Sequence, residues 1–351
     1  VSAQSQIADA HRAQRVEIGN VLIGRVRSLW SQASVNTLDG SWDALAPSMV
    51  AQVVKAQTAS AALATPYMNG IDRSYGRTTP DVQLAPESFA GVTLDGREVG
   101  PAMYTAVTTA KTAIGRGMAP AMAFQVGANA LAVVVSAALQ DMGRQADFTL
   151  GRARTYTKYV RVVGGSACSR CAILAGIWSA ETAFLRHVSC QCTAAPVQVD
   201  RVTGKEKVPS GFHASPEAYF ESLSKADQDR VFTKAGAEAI RQGASPVKVV
   251  NARRGAYGIG YNSHYYTPTP HSGRRLMAKT IGRKPDGSPL KVFMTGEGTT
   301  ARGEFGRSEI ARSDGLRRTT TIRLMPEQLM HMAGGDTERF RDLIKRYGYA
   351  Y

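Results

Sequence analysis

The sequence predicts an α+β chain: a mostly helical N-terminal half, a small cysteine-bearing β-hairpin module, then helices and an extended basic arm. Three observations predict it. Residues 1–150 combine apolar positions at helical spacing with many small residues. Thr155-Tyr-Thr-Lys-Tyr-Val-Arg-Val-Val163 switches to a two-residue alternation, the period of a strand. Beyond Gly255 the chain becomes rich in Gly, Thr, Ser, Pro, Lys and Arg and poor in aliphatic residues, with too little apolar content for a core of its own. A chain of 351 residues has room for two or three such modules.

The elements follow in order. Residues 3–31 read as a helix whose apolar face is Ile7, Val16, Val21, Leu22, Val26 and Trp30. Ser41 is the expected N-cap of a second helix, which runs towards Ala64 and is stopped by Thr65-Pro66. A Gly-, Pro- and Asp-rich connection spans Asn69 to about Val99, with a tight turn at Leu94-Asp95-Gly96-Arg97. Residues 101–148 read as one or two long helices, broken near Gly117–Pro120. After the strand at 155–163, Gly164-Gly165 ends it; Ala172 to Trp178 leads into a short loop or helix, and Thr193–Val199 is the closing strand. Ser215 caps a further helix with Pro216 in its first position. Ser224–Phe232 and Ala235–Ile240 continue in helical style towards a Gly243 cap. A terminal helical unit carries Lys345 and Arg346 in its last turn, where cations suit the helix dipole. The expected division is thus 1–150, 151–205, 206–255, 256–318 and 319–351.

Charge is unevenly distributed. Lys+Arg number 43 against 28 Asp+Glu, a formal +15. Residues 1–150 hold 11 of each sign and cancel, so residues 151–351 carry the whole excess, 32 basic against 17 acidic. A neutral half suited to protein contact and a basic half suited to a polyanion is the reading this asymmetry favours over a merely solvated surface. From Gly117 to Gln140 no residue is charged, a length that would span a bilayer. Pro120, Gln125, Gly127 and Asn129 interrupt it and Ala dominates, so a buried helix is expected and no membrane partner.

All four cysteines lie in one window: Cys168-Ser-Arg-Cys171, then His187-Val-Ser-Cys190-Gln-Cys192. Two thiols at CxxC spacing reach one ion from a tight turn, and a His with further thiols from a second segment completes a tetrahedron. Disulfides and buried thiols are the competing readings. The opening Val1-Ser-Ala-Gln-Ser-Gln shows no basic stretch followed by an apolar one, so an oxidising, secreted setting is not expected. A Cys190–Cys192 bridge would also be a strained small ring. Five donors compete for four places: Cys168, Cys171, His187 and Cys190 are favoured, with Cys192 as substitute for His187. Having no open position, the ion would be a structural Zn2+, and the hairpin module a zinc knuckle.

At this window the chain resembles a known family. Tyr159-Val-Arg-Val, Cys168-Ser-Arg-Cys171-Ala-Ile-Leu-Ala-Gly176, Phe184-Leu-Arg-His187 and Cys190-Gln-Cys192 look like the Mu F-like minor capsid (head morphogenesis) proteins of tailed bacteriophages, in particular versions from phages of actinobacteria. Asp227-Gln-Asp-Arg, Ala235-Gly-Ala-Glu-Ala-Ile240, Val250-Asn-Ala-Arg-Arg-Gly255 and Thr299-Thr-Ala-Arg-Gly303 extend the resemblance over about 155–351; the first half matches mainly by arrangement. In that family the His is usually followed by Pro, here by Val188. The resemblance implies a virion protein present in several copies inside the head near the portal vertex, and in the host cytoplasm during assembly. Its partners would be portal or major capsid protein and packaged double-stranded DNA.

Three functions compete. As a structural, DNA-proximal virion component, the chain would contact phosphates through Arg253, Arg254, Arg274, Arg275, Arg283, Lys284, Lys291, Arg302, Arg307, Arg312, Arg317 and Arg318. Tyr257, Tyr261, Tyr265 and Tyr266 would sooner pack on a partner than stack on bases hidden in a duplex. The alternative is a capsid maturation protease, since some relatives carry that label. Its candidates are the adjacent pairs Ser263-His264 and His271-Ser272 and the lone His213 and His331; HExxH, GxSxG and Walker patterns are absent. Adjacency in sequence rarely gives the convergence of acid, base and nucleophile that catalysis needs, so no enzyme is expected. A zinc-binding nucleic-acid protein unrelated to phage is the third reading, against which stands the lack of a recognition-helix module with finger spacing.

Overall fold

The computed structural model describes residues 1–164, 167–186, 190–200, 202–257, 277–283, 287, 289–294 and 325–350. The chain divides into two units, one of Val1–Ala167 with Leu174–Ala214, the other of Cys168–Ile173 with Ser215–Tyr351. The architecture is mixed, mainly helical with a small antiparallel four-stranded sheet.

The first unit is built on helices α1 (Ala3–Trp30), α2 (Leu38–Ala62), α3 (Ala64–Ser74), α4 (Val99–Met103), α5 (Thr105–Gly115) and α6 (Pro120–Ala153). Along α1 the buried positions are Ala8, His11, Arg15, Gly19, Leu22, Val26 and Trp30. Their steps of three and four make one helical stripe. Val21, expected on that face, is 44% exposed, and three polar residues, Ser5, His11 and Arg15, hold buried positions instead. That is why the apolar residues alone fit the helical period only loosely.

Ser41 is not the N-cap of α2. The helix begins three residues earlier, at Leu38, and Ser41 lies inside it. Helix α2 ends at Ala62, two residues short of the expected Ala64, but Thr65-Pro66 opens the next helix instead of a loop. Helix α3 starts at Ala64, so Pro66 sits in its first turn, where a missing N–H costs nothing. The turn at 94–97 forms as expected: Gly96 has φ +82 and Gly96 N donates to Thr93 O at 2.9 Å. The break before Pro120 also forms, with Gly117 at φ +85.

Helix α6 is long and apolar enough to cross a membrane by length and composition, but 44% of its most apolar window is buried within the fold. Its Leu131, Val135 and Leu139 join Leu22, Val26, Trp30, Trp42, Met49, Val53, Met103 and Val107 in one core. Gly127 permits the contact: a Cβ there would stand 2.9 Å from both Ala106 O and the Trp30 ring. Met122 and Val133 on the same helix are exposed.

The sheet has the order β2-β1-β3-β4 and is antiparallel throughout, with β1 Lys158–Val162, β2 Ile177–Ser179, β3 Thr193–Val199 and β4 Glu206–Lys207. Strand β3 has the bounds expected from its sequence. Strand β2 stands where the sequence predicts a loop or helix; three residues are too few for a periodic signal. Val160 and Val162 face a second core with Ala8, Tyr67, Met68, Ile71, Ala146, Leu150, Ala195 and Val197. Tyr159 lies on the opposite side of the alternation, against Phe148 and Phe184.

The second unit contains α7 (Ser169–Ala172), α8 (Pro216–Ser222), α9 (Lys225–Phe232), α10 (Lys234–Arg241), α11 (Pro246–Gly255), α12 (Pro326–Ala333) and α13 (Thr337–Arg346). Ser215 caps α8 through the Ala218 N–H, and Ser224 caps α9 through the Asp227 N–H. Gly243, at φ +97, closes α10: Gly243 N donates to Ile240 O and Ala244 N to Ala239 O, the paired bonds of a Schellman end. Phe220 and Phe232 meet edge-on at 5.3 Å in the core. Within the stretch expected as an arm, the described residues form a sheet of order β5-β7-β6, with β5 Ala256–Tyr257, β6 Met277–Arg283 and β7 Pro289–Met294. Leu290-Lys-Val-Phe-Met294 is a short, mostly apolar run with strand-favouring Val and Phe that the segment's overall polarity hides.

Candidate metal centre

Strand β1 ends at Val162, and the turn beyond it carries Cys168 and Cys171, the latter within the one-turn helix α7. Cys190 and Cys192 stand just before β3, whose register to β1 is fixed from Lys158↔Val197 to Val162↔Thr193. In an extended run, residues two apart point to the same side, so a CxC pair presents both sulfurs together. Cys171, Cys190 and Cys192 are buried, and their Sγ atoms all lie within 4.8 Å of one another. Cys168 is exposed, and none of the four cysteines is in a disulfide. His187 lies outside the described residues. The structure thus gathers Cys171 and Cys190 as expected, and takes Cys192 into the same cluster, not as a spare.

The donor set fits a soft divalent ion. Four ligands at about 2.3 Å in a tetrahedron place sulfurs roughly 3.8 Å apart, so the cluster needs only to draw in slightly. Cys171, Cys190 and Cys192 are the residues that could hold it.

What fixes the 190–192 segment is a set of buried arginines that sequence reading missed. Arg144 of α6 is 4% exposed; its Nη1 donates to Cys190 O at 3.0 Å and to Cys192 O at 3.1 Å. Its Nη2 donates to Asp141 Oδ1 at 2.7 Å. Burial pushes the Arg144 guanidinium below its usual value, against the opposing pull of Asp141. Arg161 of β1, 2% exposed, donates from Nη1 to Leu185 O at 2.7 Å and from Nη2 to Cys190 Sγ at 3.4 Å. Its guanidinium lies 4.1 Å from the centre of the Phe184 ring, with Arg144 on the same ring at 5.2 Å. Arg186 pairs with Asp141 in turn. A signal for part of this exists in the sequence: between Pro120 and Gly151 the only charged residues are Asp141, Arg144 and Asp147, spaced by three on one stripe of an apolar helix.

Asp147 anchors a second buried cluster. Arg15 Nη1 donates to its Oδ2 at 2.7 Å and Arg15 Nη2 to its Oδ1 at 3.1 Å, while His11 Nε2 lies 3.1 Å from both oxygens. Arg15 Nε also donates to Ser60 Oγ at 3.0 Å. The His11 ring stacks on Tyr67 at 3.9 Å, and Tyr67 Oη donates to Ala194 O at 2.8 Å.

An open cleft of about 730 Å3 runs past Asp141, Arg144, Phe148, Arg152, Phe184 and Arg186. Its guanidiniums are engaged, Arg152 on Ala180 O at 2.8 Å and Arg186 on Asp141, so it reads as a seam of the fold.

The residues expected at nucleic acid are mostly beyond reach of description. Arg274, Arg275, Lys284, Arg302, Arg307, Arg312, Arg317 and Arg318 lie outside the described residues. Arg253 and Arg254 in α11 and Lys291 in β7 are described by backbone alone. Arg283 is exposed and donates to Gly287 O at 2.9 Å. Of the protease candidates, Ser263, His264, His271 and Ser272 also lie outside the described residues. His213 is half-buried, which pulls its pKa below the usual histidine value, and His331 is exposed in the last turn of α12. In comparisons with known proteins, no family model, curated protein or solved structure matches this chain.

Proposed function

We propose that the chain is a structural minor capsid protein of a tailed bacteriophage, held inside the head near the portal vertex and working in head assembly and the handling or ejection of packaged DNA. The observation that carries this reading is the convergence of Cys171, Cys190 and Cys192 within the segment whose motifs resemble the Mu F-like proteins. The ion is Zn2+, bound by those three thiolates, with Cys168 or His187 as fourth ligand. It is structural: the ion ties together the segments that flank β1 and β3.

Two further features support the assignment. The charge excess lies wholly beyond residue 150, as expected of a part facing duplex DNA. The helical first half exposes Met122, Val133 and Val21, apolar side chains available to a portal or shell protein. The test is mass spectrometry of gradient-purified, DNA-filled particles of the phage encoding this chain. The chain is expected at several copies per particle, and its absence from filled heads would overturn the proposal. In parallel, the full chain is titrated with duplex DNA at several salt concentrations. Affinity should fall steeply with salt, and a flat response counts against phosphate contact.

A further inference from the structure

Tyr159-Val-Arg-Val carries the resemblance, yet nothing in the proposed role accounts for an arginine in the middle of a strand. Arg161 sits between Val160 and Val162, which are buried in the core on one face of the sheet. Its own side chain leaves by the other face, where Phe184 covers it. Phe184 in turn packs on Tyr159 and Phe148, each with ring centroids 6.0 Å from it. Desolvating a guanidinium this fully is costly unless its donors are used. Here Nη1 is spent on Leu185 O and Nη2 on Cys190 Sγ, so one rigid fork joins the backbone before the CxC segment to the first sulfur of it. Arg144 grips the same segment from α6 by the carbonyls of Cys190 and Cys192.

We infer that Arg161 is a positioning residue of the metal centre: it holds the Cys190 sulfur towards Cys171 and Cys192 through a direct N–H···S bond, so that the thiolates are arranged before an ion arrives. The inference rests on the metal reading proposed above. Three points support it. The contact is to the ligand atom itself, not to its backbone. A sulfur has lone pairs enough to accept from a guanidinium and still bind an ion. Groups that hydrogen-bond metal ligands orient them and tune the charge they donate, and their loss characteristically weakens binding. Lysine could not replace it, because a single ammonium cannot reproduce the fork between Leu185 O and Cys190 Sγ.

The test uses the full-length chain and Co2+ as a spectroscopic probe, with Zn2+ affinity read by competition against a chromophoric chelator. Wild type is expected to show thiolate-to-cobalt charge-transfer bands. R161M should bind Zn2+ roughly ten- to a hundredfold more weakly, with those bands displaced because Cys190 has lost its donor. R161K, which keeps the cation and is the variant of record should R161M not fold, should lie between the two. Unchanged affinity and an unchanged spectrum in both variants, or in R161K where R161M does not fold, would overturn the inference and leave the metal reading standing. No Co2+ binding by wild type would overturn both.

Discussion

Arg144 and Asp147 lie one turn apart on α6, and both are buried with opposite charges, but they hold different things. Around Asp147 the network is closed mainly on side chains, with Arg15 Nη2 also on Ser60 O and Thr193 Oγ1 of β3 donating to Asp147 Oδ2 at 3.4 Å. One carboxylate receives a two-pronged Arg15 and His11, with Ser60 taking the remaining Arg15 donor. It cements α1, α2 and α6 and touches the start of β3. Around Arg144 the guanidinium also has a carboxylate, Asp141, yet spends another arm on two loop carbonyls, while Arg161 reaches a sulfur. The first cluster satisfies charge with charge. The second uses charge to hold a segment with little regular structure. A buried ion pair stabilises little over a well-packed apolar core, but losing one partner is severe. Holding a cysteine-bearing loop is what buried guanidiniums offer that leucines do not.

The comparison breaks most sharply at Asp147. Asp147→Ala leaves Arg15 and His11 buried without their acceptor and should cost about 3–5 kcal/mol of unfolding free energy in denaturant titrations. A loss below about 1 kcal/mol would mean the cluster is not closed as described. The pH dependence adds a sign. Burial alone would raise the Asp147 carboxyl, but Arg15 and His11 outweigh it and hold it well below the usual carboxylate range. A depressed carboxylate contributes stability that is complete above the unfolded value, near pH 4, and lost as pH falls through the folded one. The stability gap between wild type and Asp147→Asn should therefore narrow as pH drops below about 4. A gap that widens would reverse the assignment.

The two clusters were unequally legible in the sequence. The cysteine window announces itself by spacing, and β3 was readable to the residue because Thr193–Val199 is bounded by a metal-type motif and a turn. Which sulfurs meet was not readable. CxxC spacing favours Cys168 with Cys171, whereas the strand register carries Cys192 into the cluster beside Cys190 and Cys171. The buried arginines were hidden for a different reason. Charged residues default to the surface, and Arg15 and Arg144 look like ordinary helix-face charges until the three-residue spacing of Asp141, Arg144 and Asp147 is set against a helix otherwise without charge. Ser41 misled because a capping residue marks a helix start only where the neighbouring turn agrees, and it falls within α2; Pro66 stands just past the end of α2, in the first turn of α3. Ser215 marked a helix start correctly, its Oγ accepting from the Ala218 N–H of the first turn.

Metal removal separates the clusters next. At a hundredfold excess over its dissociation constant, a bound ion adds about 2.7 kcal/mol. Chelation should lower stability by that order and raise amide hydrogen exchange at 167–173 and 190–193. Exchange in α1 around His11 and Arg15 should change much less, because no ligand of the ion belongs to that cluster and the link between the two runs through the Thr193 hydroxyl. Equal loss of protection in both regions would show that the two are one cooperative structure. No change in either would remove the ion from the account.

A smaller effect has a decisive sign. In an ordinary helix, Gly→Ala adds up to about 1 kcal/mol of stability. At Gly143 an added Cβ would meet Ser60 Oγ at 2.4 Å and Arg15 Nε at 2.6 Å. Gly143→Ala should therefore destabilise, by about 1–3 kcal/mol, through forced displacement of the Arg15 fork. Stabilisation, read as a higher denaturant midpoint, would place Arg15 elsewhere.

The mildest change probes how the closed cluster reaches the sheet. Tyr67 stacks on His11 and donates its hydroxyl to Ala194 O in β3. Burial first, and then Asp147 nearby, raises the phenol well above its ordinary value, so it stays a donor at any working pH. Tyr67→Phe keeps the stack and removes one buried hydrogen bond, a loss of about 1 kcal/mol. Metal affinity should not change, since Ala194 lies past the cysteines and Arg144 holds those by their own carbonyls. If Tyr67→Phe weakened Zn2+ binding as much as R161M does, the distinction between cementing helices and positioning thiolates would fail, and α6 would carry a single network.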